Sequence, residues 1–247
     1  MFSYDDAVAR RFPSVRAGVL HATGLVNGPS PDGLLVEYRA EQALVCARLG
    51  TIEIAEIPSI VAWRRAFSAF GAKPTQHRSA AEALLRRISK QGEIPSINVL
   101  VDIGNLVSIR YALPVAVFDR SGSTGLLTVR FATGAERFTE LGASEPAHPV
   151  PGEVIFVDAE GVVSARRWCW RQSAQSAARP TTREALVVVE GQHAGAGADV
   201  AAALLDLASL LERFCPGSEA RFLPGLWADP PTEGRAPLHL PRYGRGG

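Results

Sequence analysis

"INVLVDIGNLVSIRYALPVAVFD", residues 97–119, is where this chain of 247 residues changes character. The stretch is dense in Val, Ile and Leu, is interrupted by Asp102, Gly104 and Asn105, and carries Pro114 just ahead of a second apolar run. Its β-branched density predicts short strands on both sides of the interruption. Asp102 and Asn105 follow the first apolar run, where an Asx side chain bonds its own backbone and sets a strand-to-helix turn, and Pro114 is placed to open the next strand. On spacing alone the pair reads as structural.

Upstream, the periodicity is mostly helical. "VRAGVLHATGL" (15–25) is a short strand closed by Gly24, and after a Gly/Pro loop "LLVEYRAEQALVCARLG" has the spacing of an amphipathic helix ending at Gly50. "SIVAWRRAFSAFG" (59–71) puts Ile60, Trp63, Phe67 and Phe70 on one helical face, with Arg64 and Arg65 beside it and Gly71 as a C-cap. "RSAAEALLRRISKQG" has the Ser79-x-x-Glu82 spacing of a capping box, a stripe of Leu84, Leu85 and Ile88, and a stop at Gly92. Arg86 and Arg87, near that helix's C-terminus, either complement its dipole or meet a ligand.

Downstream, "LLTVRF", "EVIFVD", "VVSARRWCW" and "EALVVVEG" read as strands, and "VDAEGVV" as a hairpin turn. Residues 198–214 form a final packed helix, and 10–215 is expected to be one domain followed by a loosely ordered Pro/Gly-rich tail, 216–247. Helices first, strands next and one helix late break the alternation of a doubly wound fold. An α+β class follows.

Composition excludes more than it assigns. The net charge of +1 supplies no global field for nucleic acid or membrane, so any basic site is local. All but Lys73 and Lys90 of the 26 basic residues are arginines, a bias that codon usage explains as readily as function. The polar opening and the lack of a long apolar run predict a soluble, cytoplasmic protein without a membrane partner. Cys46, Cys169 and Cys215 have neither disulfide nor zinc spacing and are expected as buried thiols. No hydrolase elbow, phosphate loop or zinc-protease motif occurs, and the five histidines lack ligand spacing, so no metal is expected. "VEGQHAGAGADV" sets glycines between a strand and a helix, a layout for anion binding or a plain flexible connection.

Three segments in order, "PSIVAWRRAFSAFGAKPTQHRSAAEALLRRI", "VDIGNLVSIRYALPVAVFD" and "RRWCWRQS", resemble the B3/B4 domain of the bacterial phenylalanyl-tRNA synthetase β subunit in its free-standing form, over roughly residues 10–215. The resemblance implies an α+β fold with a central sheet or sandwich of unusual topology flanked by helices. It also implies an editing activity that hydrolyses the ester of misacylated tRNA in trans, with the amino-acid moiety in a pocket and no cofactor. Two departures stand out. Ala116 occupies the position of the family's histidine, and Gln172 falls at or near its functional glutamate.

An aminoacyl ester is activated, so fixing its carbonyl and a water can suffice, without a protein nucleophile. Under this reading Gln172, Ser173 or Asn105 orients the water and the α-amino group. Arg64, Arg78, Arg86, Arg87, Arg166, Arg167 and Arg171, with Asp102, are the candidates for tRNA or substrate binding, and Arg65 belongs with them if they converge. Strand alternation over 166–173 is expected to turn Trp168 and Trp170 to one side and Arg167 and Arg171 to the other, the tryptophans serving as core or as stacking platforms for bases. The competing readings are a non-catalytic tRNA- or amino-acid-binding module that has lost its editing residues, and a pocket reused for a small polar metabolite.

Overall fold

In the computed structural model, which describes residues 2–50 and 52–223, nine strands and six α-helices alternate irregularly. The first half holds β1 (Phe2–Tyr4), α1 (Asp6–Arg11), β2 (Arg16–Thr23), α2 (Asp32–Leu49), α3 (Pro58–Ala69), α4 (Ala80–Gln91) and α5 (Val99–Tyr111). The second holds β3 (Val115–Asp119), β4 (Leu127–Phe131), β5 (Val154–Val157), β6 (Val163–Arg166), β7 (Arg171–Gln172), β8 (Glu184–Gly191), α6 (Ala196–Phe214) and β9 (Glu219–Leu223). The class is α+β, as expected.

The strands form two sheets, one ordered β1-β4-β5-β6-β7 and one ordered β3-β8-β2-β9. Only β1–β4 is a parallel pair among the named strands; the other ladders are antiparallel. The four-stranded sheet is covered on both faces, which explains why "ALVVV" in β8 reads as an unbroken apolar run rather than an alternating one. By strand parity, Val117, Val187 and Val189 join Leu20 and Ala22 in a core shared with α2, α5 and α6. Phe118, Leu186, Val188 and Val19 point the other way, into a core shared with Leu127, Val129, Val154 and Phe156 of the second sheet and with Trp63 and Phe67 of α3. The result is a sandwich with a helical layer on one outer face.

Within the run 97–111, expected as a strand ending at an Asx turn, residues 99–111 are instead the helix α5. Asn98 caps it by accepting from the Val101 amide at 3.0 Å, and Ala112 closes it in a left-handed conformation at φ 52°. The β-branched run misled because α5 is buried almost all round, so the apolar stripe that marks a surface helix is missing. Gly104 lets α5 lie close to the sheet: a Cβ there would stand 3.1 Å from Val117 Cγ2.

The capping box at α4 forms by half. Ser79 Oγ accepts from the Glu82 amide at 3.3 Å, but the Glu82 carboxylate turns away to bind arginines. The expected hairpin at Asp158–Gly161 joins β5 to β6. Within the stretch read as a tail, Glu219–Leu223 is a strand paired to β2, because its register from Val19↔Leu223 to Thr23↔Glu219 completes the sheet edge. Residues 224–247 lie outside the described residues. Cys215 is buried as expected, whereas Cys169 is half-buried and Cys46 is exposed on α2. Among the described residues, no helix is long and apolar enough to cross a membrane.

Candidate functional site

The link between β6 and β7 has an unusual backbone. Arg167 and Trp168 both take positive φ, 44° and 60°, consecutive left-handed residues without a glycine. Such conformations cost on the order of 1 kcal/mol or more each and persist only where surrounding contacts enforce them. Here the enforcing contact is the Trp168 side chain, fully buried with its ring 4.9 Å from Phe12 and 5.1 Å from Trp63 in edge-to-face geometry. Strand alternation therefore does not hold across 167–170. Trp168 goes inward, while Trp170 stays at the surface with Arg167 and Arg171 stacked over its ring at 4.6 and 4.7 Å. The two indoles do not share a side, and the two guanidiniums share an aromatic partner.

Trp168 Nε1 donates to Glu190 Oε1 at 2.7 Å, and the Tyr4 hydroxyl donates to the same oxygen. Glu190 sits two residues past Val188, so parity carries it onto the sandwich face of β8, where it is 2 % exposed. It borders a small cavity of about 60 Å³ lined also by Pro114, Ala116, Phe118, Cys169, Trp170 and Gln172. Burial pushes the Glu190 carboxyl up to about 7 against the opposing hydrogen bonds from Tyr4 and Trp168. The Tyr4 hydroxyl and the Cys169 thiol are likewise held well above their ordinary values, first by burial and then by the Glu190 charge. A thiol held protonated is a poor nucleophile. The cavity thus has a carboxyl group that titrates near neutrality, and no activated thiol.

Glu190 was not among the candidates read from sequence. Its one signal was a single carboxylate closing a run of five apolar residues in "ALVVVEG", and only knowledge of which sheet face meets the sandwich turns that into an interior acid.

Of the predicted catalytic residues, Gln172 lines the cavity. Its amide nitrogen donates to the carbonyls of Val117 and Ser176, each at 2.6 Å, so only Oε1 is left to face a ligand. Ser173 is fully buried behind it, with its Oγ 3.1 Å from Ser176 Oγ. Asn105 stands on α5 beside the Tyr38 ring, in the helical layer. Asp102 is an internal clamp, accepting from Ser30 Oγ at 2.6 Å, from the Ile97 amide at 2.9 Å and from Ser96 Oγ. The structure does not bring Ser173, Asn105 or Asp102 into the cavity.

The arginines fall into two groups rather than one cleft. Arg64, Arg78 and Arg86 converge on the buried Glu82 at 3.1, 3.7 and 2.8 Å. Arg166 holds Glu153 through two 3.0 Å bonds, Arg167 lies 3.7 Å from the same carboxylate, and Arg171 pairs with Glu140 at the surface. Arg65 and Arg87 are exposed on α3 and α4. The groups meet at the cavity rim: the Ala80 amide donates to the Cys169 carbonyl at 2.8 Å, and the His77 ring packs 4.8 Å from that of Trp170. Arg78 and Arg171, about half-exposed, flank this seam. Among the described residues no group of three His, Cys, Asp or Glu side chains is arranged to hold a metal ion.

The sequence pattern of the B3/4 domain matches residues 62–215, more than half of the chain. The phenylalanine–tRNA ligase beta subunit of Shewanella oneidensis is 32% identical over 88 residues, a stretch that is 36% of this chain and 11% of that subunit. An N-terminal fragment of the phenylalanyl-tRNA synthetase beta-subunit from Pyrococcus horikoshii superposes on 90% of this chain, and on 50% of its own, with 12% identity and a TM-score of 0.46. The chain therefore spans no more than half the length of these relatives.

Proposed function

Because the chain belongs to the B3/4 domain family, we propose that it receives the aminoacylated 3′ end of a tRNA along the surface seam between β3 and the 167–172 turn, with only the attacking water reaching into the small cavity, and hydrolyses mischarged ester in trans. The observation that carries the hydrolytic step is Glu190. With Ala116 where the resemblance expects histidine and Gln172 where it expects glutamate, this carboxyl supplies the proton acceptor the cavity otherwise lacks. Both hydrogen bonds from Tyr4 and Trp168 go to Oε1, which leaves Oε2 to take a proton from a water. A base that titrates at about 7 is half-ionised at neutral pH and strong enough to be useful. Gln172 Oε1 orients the water or the α-amino group, while Arg171, Arg78 and the Trp170 ring meet the terminal phosphate and base. The reaction uses water and the ester alone: the acyl C–O bond breaks, the new acyl oxygen comes from water, and the proton passes through Glu190 to the ribose oxygen.

A deacylation screen over misacylated tRNAs, with the wild-type protein and Glu190→Gln, tests this. The expected result is ester hydrolysis by the wild type and a loss of about a hundredfold or more in kcat for the variant with KM little changed, the usual worth of a general base. Turnover equal in the two proteins would remove Glu190 from the chemistry. The competing reading, a binding module without turnover, is favoured by the consumption of both Gln172 amide hydrogens in backbone contacts; it predicts saturable tRNA binding with no hydrolysis in either protein.

A further inference from the structure

On the other side of Phe12 and Ala66 from the Trp168 cluster lies a larger cleft, about 570 Å³, that the proposed function does not use. It is bordered by Arg11 and Ser14 around the end of α1, by Arg65 on α3, and by Gln192 and His193 in the turn from β8 to α6. The polar side chains are two guanidiniums, an amide, a hydroxyl and an imidazole, and no carboxylate lines the cleft.

Three observations point to an oxyanion. First, Gln192 Nε2 and His193 Nδ1 are buried and meet no hydrogen-bond partner among the described residues. A buried polar atom left unmatched costs about 1–3 kcal/mol, so two in one turn call for a ligand. The His193 side chain is only 9% exposed, and its ring is oriented by Nε2 standing 2.8 Å from Asp199 Oδ2. Second, α6, 19 residues long, begins beside this ring at Gly195 in a left-handed conformation, φ 89°, with no side chain capping its first amides. The Ala196 and Ala198 amides are met by the His193 and Gly195 carbonyls at 3.0 Å and Asp199 stands in the first turn, so this helix end adds to the cleft only the direction of its dipole. Third, Arg65 makes no ion pair among the described residues, in contrast to its neighbour Arg64 on Glu82. Arg11 makes one long bond, 3.3 Å, to the Ala69 carbonyl.

We infer that this cleft binds a phosphate group, with Arg11 and Arg65 at its mouth and Gln192 and His193 at its floor. Arg11, Arg65 and Gln192 bring donors from three parts of the chain, which suits a tetrahedral group with three outward oxygens, while His193, its Nε2 turned to Asp199, shapes the floor. A more open hollow of about 720 Å³ shares Val61, Arg65 and Ala69 with the cleft and adds Arg64, so the phosphate has room to belong to a nucleotide or to a polynucleotide backbone crossing α3. The chemistry is the same from either source.

The test is a titration of the full chain with inorganic phosphate, followed through the His193 ring resonances in NMR. A saturable shift is expected, weakened about tenfold or more in the Arg11→Met/Arg65→Met double variant. Both side chains are exposed, so the variant keeps the fold. Competition then separates the sources: displacement by adenosine monophosphate assigns a small ester, and displacement by an uncharged tRNA acceptor-stem minihelix assigns an RNA backbone. No saturable shift at millimolar phosphate, or an identical titration in the double variant, overturns the inference. Neither outcome touches the deacylase reading, because no ester is present.

Discussion

The two faces of the four-stranded sheet share their strands yet carry different loads. On the helical side, Val117, Val187 and Val189 meet Leu106, Val107, Leu204 and Leu207 in a core that is apolar throughout the sheet contact. On the sandwich side the same β8 carries Leu186 and Val188 and then Glu190, tied to Tyr4 and Trp168. One face is occupied with stability alone, while the other accepts a buried carboxyl and a strained turn. The lesson is that parity along a single strand separates pure packing from a buried ionisable group, so substitutions one residue apart should have different consequences.

The largest effect is expected on the helical face. Leu204 is fully buried and lies against Gly18, where a Cβ would come within 2.2 Å of its Cδ1. Leu204→Ala should lower unfolding stability by about 2–5 kcal/mol in urea denaturation, with turnover per folded molecule kept; a parallel loss of specific activity would break the division between the faces. Next comes pH. Glu190 titrates at about 7 in the folded protein against an ordinary value of 4.5, so the folded state holds the proton more tightly. The resulting stability is fully present below the ordinary value and is lost as pH rises through about 7, a change on the order of 3 kcal/mol. Glu190→Gln should flatten that slope, and a variant curve parallel to the wild type from about pH 4 to 8 would place the titration elsewhere. The smallest effect lies at the rim. The Arg171–Glu140 pair is half-exposed, so Arg171→Ala should change stability by less than about 1 kcal/mol. It should nevertheless reduce the salt dependence of tRNA binding by about one phosphate contact, measured as the slope of log affinity against log salt. An unchanged slope would leave Arg171 as a partner of Trp170 alone.

The sequence was most readable where an element has one wet face. α2, α3, α4 and α6 announced themselves by periodicity and by Ser79 and Gly92, and β3, β4, β5, β6 and β8 by apolar runs between turn residues. α5 was misread because burial on nearly every side erases the period that tells a helix from a strand. The tryptophan pair was misread because strand alternation assumes extended backbone, and Arg167 and Trp168 are left-handed. At the candidate cavity, Gln172 and Arg171, both named from the sequence, are among the lining residues. Glu190 was not legible, since its neighbours Tyr4 and Trp168 stand 186 and 22 residues away and only the fold brings them together.

The strand β9 has a bearing on solubility. It covers Val19–Thr23 of β2, the stretch that would otherwise be the free margin of the four-stranded sheet. A chain lacking residues 219–223 would present there a run of unpaired amides and carbonyls beside Leu20 and Ala22, a template on which another chain could add a strand. With β9 in place the free margin falls instead on a short strand carrying the exposed charges of Glu219 and Arg221, which blunts it as a template.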